Sequence, residues 1–213
     1  MKCYFISGMA ADDRVFKYIH LPESYEMVHL HWFAPLKNES LAAYAYRMSE
    51  KIDVSEPFVL IGLSMGGMIA AEISRIKKPL QTILISTIPS GRELPIYFKW
   101  AGKWNLPSIV PVPLVKAAAK GKRLFTKERS ADKMMLKQII DESDDQFIKW
   151  AMTAISRWES QDPPENYIHI HGDQDPVLPI RYTRPTHIIK GAGHLLVMTH
   201  GRQVSRILTE VLP

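Results

Sequence analysis

VLIGLSMGGMIAAEI, residues 59–73, changes character at its middle. The first five residues are apolar and partly β-branched, as in a strand covered on both faces, and the residues after Gly67 follow a helical pattern. Ser64 sits at the junction, between Gly62 and Gly66. A strand that turns straight into a helix forces the residue at the turn into a strained backbone conformation. Glycines two positions either side remove side chains that would clash there. Gly62-Leu63-Ser64-Met65-Gly66 is thus a G-x-S-x-G motif whose serine hydroxyl projects from the turn. The helix that follows aims its first N–H groups and the positive end of its dipole at that hydroxyl. The bland alternative is a glycine-rich turn that only packs helix on sheet.

Working outward, short apolar runs at 3–8, 25–32, 57–64, 81–87, 166–172 and 186–191 read as strands. Stretches 12–20, 41–52, 66–78 and 195–212 read as helices, the last weakened in its first half by Gly201. Strand–helix alternation with right-handed crossovers predicts an α/β fold, a mostly parallel six-stranded sheet with helices on both faces. Catalytic loops in such sheets lie at the carboxyl ends of the strands, and Ser64 is at one. Residues 92–164 break the alternation: they are helical in pattern, cut by Pro107, Pro111 and Pro113, and contain no convincing strand. The expected organisation is a core of residues 1–91 and 165–213 with an inserted helical lid at 92–164.

The 213 residues are 46% hydrophobic and 23% charged, which suits a globular chain with a real core. A single cysteine, Cys3, rules out an internal disulfide and suits a reducing compartment. The start MKCYFISGMAADD lacks the long apolar run and cleavage pattern of a secretory signal, and no window approaches the roughly 18 apolar residues of a membrane helix. A soluble cytoplasmic protein without stable membrane insertion is expected. The net charge of +5 is uneven: Arg92–Lys137 holds 11 Lys/Arg against 3 Asp/Glu, and the rest of the chain is net negative.

A serine hydroxyl is a poor nucleophile at neutral pH and needs a base and an orienting acid. His194, in KGAGHLL, follows the last predicted strand and suits the base. His20, His187 and His200 lie within or at the ends of predicted elements. The pairs His29/His31 and His169/His171 lie on strands, each pair on one face. That geometry raises a metal site, but no H-E-x-x-H or comparable ligand spacing accompanies it, so no metal is expected. HGDQDPVLP supplies Asp173 and Asp175 at the end of the preceding strand. Asp175-Pro176 favours a turn that leaves its carboxylate near the strand tip, so Asp175 is assigned the acid and Asp173 a capping role.

With these residues in place the chain resembles the α/β-hydrolase superfamily. The matching features are GLSMGG, HGDQDPVLP, GAGH and the chain order Ser…Asp…His, within residues 1–91 and 165–213. The resemblance implies Ser64 as nucleophile, Asp175 as acid and His194 as base, without a cofactor. It also implies an oxyanion hole of two backbone N–H groups, from Met65 and from Met9 in ISGMAADD, which stands where the family has His-Gly-x. Three departures accompany it. The chain begins directly at the family's third strand, lacking the first two. Ser7 replaces the usual histidine before Gly8. Only 18 residues separate Asp175 from His194, too few for a full helix between those strands. At the other position where such families place the acid, Glu93 is the only acidic residue nearby.

The implied function is a serine hydrolase that cleaves a carboxylic ester or thioester of a small molecule through an acyl-enzyme intermediate. A serine rather than a carboxylate at the turn argues against a dehalogenase. Its partner is a small-molecule acyl substrate, with anionic substrates favoured if the basic segment overhangs the mouth. Two other readings compete: a catalytically weak ligand-binding or signalling member of the same fold, and a binder of anionic surfaces or nucleic acid through the basic segment. Trp100, Trp104 and Phe125 are interleaved with that segment's cations. It carries no nucleic-acid fold signature, and nucleic acid is not expected.

Overall fold

The computed structural model describes residues 1–121, 130–160 and 162–213; Phe125 falls outside them. Six strands form one sheet: β1 (Lys2–Ile6), β2 (Glu26–His29), β3 (Phe58–Leu63), β4 (Gln81–Ile85), β5 (Tyr167–Gly172) and β6 (His187–Ile189). Their order is β2-β1-β3-β4-β5-β6, and every neighbouring pair is parallel. All six residues of β3 are buried, as a strand covered on both faces must be. Alternate side chains feed two cores. Tyr4, Ile6, Leu60 and Leu84 enter one, while Cys3, Phe5, Ile61 and Ile83 enter the other.

The helices among the described residues are α1 (Leu41–Ser49), α2 (Met65–Lys77), α3 (Ile96–Lys103), α4 (Leu106–Ile109), α5 (Val112–Ala119), α6 (Ser130–Glu142), α7 (Asp145–Ser156), α8 (Leu196–Thr199) and α9 (Gly201–Val211). Helices α1 and α2 cover the first core through Tyr44, Met48, Ile69 and Ile73. Helices α8 and α9 cover the second through Leu196, Val197, Val204 and Leu208. Ser40 starts α1, its hydroxyl accepting the Ala43 N–H at 3.1 Å. Lys78 ends α2 in a left-handed conformation.

Two predicted helices come out differently. Residues 12–20 give a single 3-10 turn, Asp13–Phe16, capped by Asp12. That turn already buries Val15 and Phe16, the apolar residues it has to offer the core. The predicted helix 195–212 is two helices broken at His200. Gly201 opens the second helix pressed against Tyr18, where a Cβ would lie 2.5 Å from that of Tyr18.

Helices α3–α7 all lie between β4 and β5, and Pro107, Pro111 and Pro113 sit at the starts of α4 and α5. They differ in how they pack. Phe147, Ala151 and Ile155 of α7 enter the first core, and Leu136, Ile139 and Ile140 of α6 enter the second. Helices α3, α4 and α5 bury only Gly102, Pro107 and Val112. Among the described residues no helix is long and apolar enough to cross a membrane.

Strand order reverses between β1 and β3, and such a reversal opens a crevice outside the carboxyl ends of those strands. Register aligns those ends, with Ile6 opposite Gly62 and Leu63 opposite Ile85. The residues after β1, β3 and β4 therefore meet at one place.

Candidate active site

Ser64 directly follows β3 with φ 54° and ψ −121°, a left-handed conformation that a non-glycine residue adopts only when its surroundings hold it there. Its N–H donates to the Ile85 carbonyl at 2.8 Å. Its own carbonyl accepts the Gly67 N–H at 2.9 Å, the Met68 N–H at 3.3 Å and the Thr87 hydroxyl at 2.7 Å. The flanking glycines are sterically required. A Cβ at Gly62 would lie 2.3 Å from the Gly66 carbonyl oxygen, and one at Gly66 would lie 2.2 Å from that of Ile6.

His194 arrives from the loop after β6, with its Nε2 2.9 Å from Ser64 Oγ. Its Nδ1 lies 2.7 Å from Asp175 Oδ2. Asp175 follows β5, its side chain fully buried, and its Oδ1 accepts the N–H groups of Val177 (2.8 Å) and Leu178 (2.9 Å). Burial works to raise the pKa of this carboxyl, but the His194 ring and the hydrogen bonds outweigh it and hold it below the usual aspartate value. An ionised carboxylate only accepts, so Nδ1 carries the imidazole proton and Nε2 presents a lone pair to the Ser64 hydroxyl. Three residues far apart in sequence thus form one hydrogen-bonded line.

Asp173 does not join it. Its Oδ1 accepts the Gly191 N–H at 2.6 Å, capping the loop that carries His194 rather than its own turn. Glu93 does not join it either: it accepts the Thr183 hydroxyl, and burial raises its pKa.

Met9 lies just past β1, and Met65 opens α2. Among the described residues neither amide N–H has an acceptor. The loop holding Met9 is pinned by the Ser7 hydroxyl, which donates to the Ala11 carbonyl at 2.9 Å, and by Trp32 Nε1, which donates to the same oxygen at 3.1 Å. Beneath it Gly8 lies against the serine, where a Cβ would be 3.4 Å from that of Ser64.

His171, the first residue of HGDQDPVLP, is a neighbour of the site to which the motif assigns no role. Fully buried, it donates from Nε2 to the Leu178 carbonyl at 2.8 Å, and the same nitrogen is 3.5 Å from Asp175 Oδ2. His169 packs edge-on against it, with ring centroids 5.2 Å apart. Burial lowers the pKa of both rings. Strand alternation foresaw that the two share a face. It carried no sign that this face backs the acid.

No curated protein matches the sequence significantly. Among solved structures, a thermophilic esterase from Thermogutta terrifontis superposes with a TM-score of 0.73 at 16% identity, covering 100% of this chain and 89% of its own. MenH from S. aureus gives 0.73 at 13% identity, covering 98% and 91%. A bromoperoxidase from Bacillus anthracis gives 0.71 at 16%, covering 97% and 90%. At such identities these likenesses speak to the fold alone. The sequence itself matches the model of the alpha/beta hydrolase family over residues 23–207. Strands β2–β6, with the motifs that follow β3, β5 and β6, and the helices between β4 and β5 fall within that match, β1 and Met9 precede it, and the chain belongs to the alpha/beta hydrolase family.

Proposed function

We propose that the protein is a serine hydrolase that cleaves a carboxylic ester or thioester of a small molecule through an acyl-enzyme intermediate. The observation that carries this reading is the line from Ser64 Oγ through His194 to Asp175, with contacts of 2.9 and 2.7 Å. In the first step Ser64 Oγ bonds to the substrate carbonyl carbon while its proton passes to His194 Nε2. The imidazolium that forms is stabilised by the Asp175 carboxylate and then protonates the departing alkoxide or thiolate. Water repeats the sequence: it loses a proton to Nε2, attacks the acyl carbon, and Ser64 Oγ leaves with the proton returned. The Met9 and Met65 N–H groups would receive the negative oxygen, a donor of this kind being worth about 2.7–4 kcal/mol. Helices α3–α7 are assigned as the lid over the acyl site.

A fluorophosphonate probe tests the reading directly. Covalent labelling of the wild type is expected, abolished in Ser64→Ala and strongly slowed in His194→Ala. A folded wild type that stays unlabelled would overturn it.

A further inference from the structure

Large apolar side chains with much of their surface exposed gather on and between α3, α4 and α5. Trp100 is 62% exposed, Trp104 73%, Ile109 72% and Leu114 62%, with Ile96 and Leu106 beside them. Exposure on this scale over consecutive elements exceeds the scattered apolar residues of an ordinary surface. Helical spacing puts Ile96, Trp100 and Trp104 on one stripe of α3, with Lys99 and Lys103 along its edge. The charge is as one-sided as the hydropathy: residues 94–127 contain seven Lys/Arg and no Asp or Glu. Acids do reach α5 from its neighbours, Asp145 pairing with Lys116 at 2.7 Å and Asp141 with Lys120 at 2.6 Å. None so pairs with α3: Lys99 donates only to the Arg92 carbonyl at 3.1 Å, and Lys103 has no partner among the described residues.

We propose that the α3–α5 face docks the protein on anionic phospholipid, with Trp100, Trp104, Ile109 and Leu114 in the headgroup–acyl boundary and Lys99 and Lys103 against the headgroup phosphates. Tryptophans and aliphatics beside lysines are the composition that such an interface rewards. The alternatives fit less well. Nucleic acid offers nothing to Ile96, Ile109 or Leu114. A second copy would press two faces of the same charge together. The docking face adjoins the candidate site, because the Tyr97 hydroxyl donates to the carbonyl of Val177, two residues past Asp175. The inference stands apart from the proposed chemistry, since it needs neither Ser64 nor His194.

Co-sedimentation of the full chain with phosphatidylglycerol/phosphatidylcholine vesicles, alongside tryptophan emission, tests it. Binding to the anionic vesicles with a blue shift is expected, at least about tenfold weaker on pure phosphatidylcholine. Both Trp100→Ser/Trp104→Ser and Lys99→Glu/Lys103→Glu should weaken binding at least about tenfold, with kcat on a neutral soluble ester and the melting temperature retained. Wild type that leaves anionic vesicles unbound at physiological salt would overturn the proposal. So would binding untouched by either variant pair. Equally decisive against it would be a solution dimer that Trp100→Ser/Trp104→Ser dissociates, or nucleic-acid binding tighter than vesicle binding.

Discussion

A methyl group at Gly66 would lie 2.2 Å from the Ile6 carbonyl oxygen and 2.3 Å from that of Ser7, both of them backbone atoms with nowhere to swing. At Gly8 it would meet only ordinary contacts, 3.4 Å from Ser64 Cβ and 3.9 Å from its Oγ. The two glycines therefore separate stability from chemistry. Gly66→Ala should cost about 1–3 kcal/mol or more, each kcal/mol lowering the melting temperature by about 2–4 °C. Gly8→Ala should melt near the wild type yet lose about tenfold or more in kcat/KM, because the new methyl crowds the hydroxyl where an acyl group must approach. Thermal melts and ester kinetics on the pair check this. If Gly8→Ala retained full activity, the approach to Ser64 would have to run elsewhere. At this scale the residues on turns were legible in sequence: a glycine-flanked serine, Asp175 before a proline, and His194 in a glycine loop each announce a sharp bend. The contacts of His171, although it opens HGDQDPVLP, and of Thr87 were not. A histidine inside a strand and a threonine just past one carry the same signal whether they face a hydrocarbon core or the back of an acid.

On β5 the burial of two histidines turns into a pH dependence of the fold. Burial, reinforced by the neighbouring His171 ring, pulls His169 down to about 3. His171 is lowered chiefly by burial as well, and so is the half-buried His29 of β2. In the unfolded chain all three take up protons near the ordinary value of 6.5. Between that value and the lowered one the unfolded state binds more protons, so stability is complete above pH 6.5 and falls as the pH drops below it. Asp175 adds to the loss only at lower pH, when the acid finally protonates through its depressed pKa. Urea denaturation at several pH values should show unfolding free energy declining by up to about 1.4 kcal/mol per pH unit for each histidine kept neutral. His169→Gln should flatten that decline by about one proton, whatever it does to stability at neutral pH. An unchanged slope in the variant would mean His169 protonates freely in the fold. Element reading from sequence succeeded for all six strands: the apolar runs of the inner strands are buried on both faces, while the edge strands β2 and β6 stay partly exposed and were legible from their short apolar runs alone. It overreached at 12–20 and 195–212, where a helical pattern was right but its continuity was not. The contact of Gly201 with Tyr18 joins residues that no local window sees together.

Over the whole molecule the charge is divided against itself, with Arg92–Lys137 carrying 11 Lys/Arg to 3 Asp/Glu while the remainder is net negative. This asymmetry was legible from composition alone. The use made of it was not, because the acids that absorb part of the excess come from α6 and α7, beyond the segment's dense basic run. With Lys116 and Lys120 tied to Asp145 and Asp141, these two cations hold α5 to its neighbours. Lys99 and Lys103 are left to act on what lies outside. Since α3 is fastened to the loop of Asp175 through Tyr97, their field reaches the approach to Ser64 as well as the surroundings. An anionic acyl ester should then be drawn in faster than a neutral ester of matched size, by several-fold in kcat/KM at low ionic strength. The advantage should shrink in about 0.5 M salt, where charges more than a few ångströms apart are screened. Lys99→Glu/Lys103→Glu should lower or reverse the preference while leaving kcat on the neutral ester unchanged, because the lysines act on encounter and not on the carbonyl. A preference that is absent, or that ignores both salt and the charge reversal, would confine the basic excess to holding helices together.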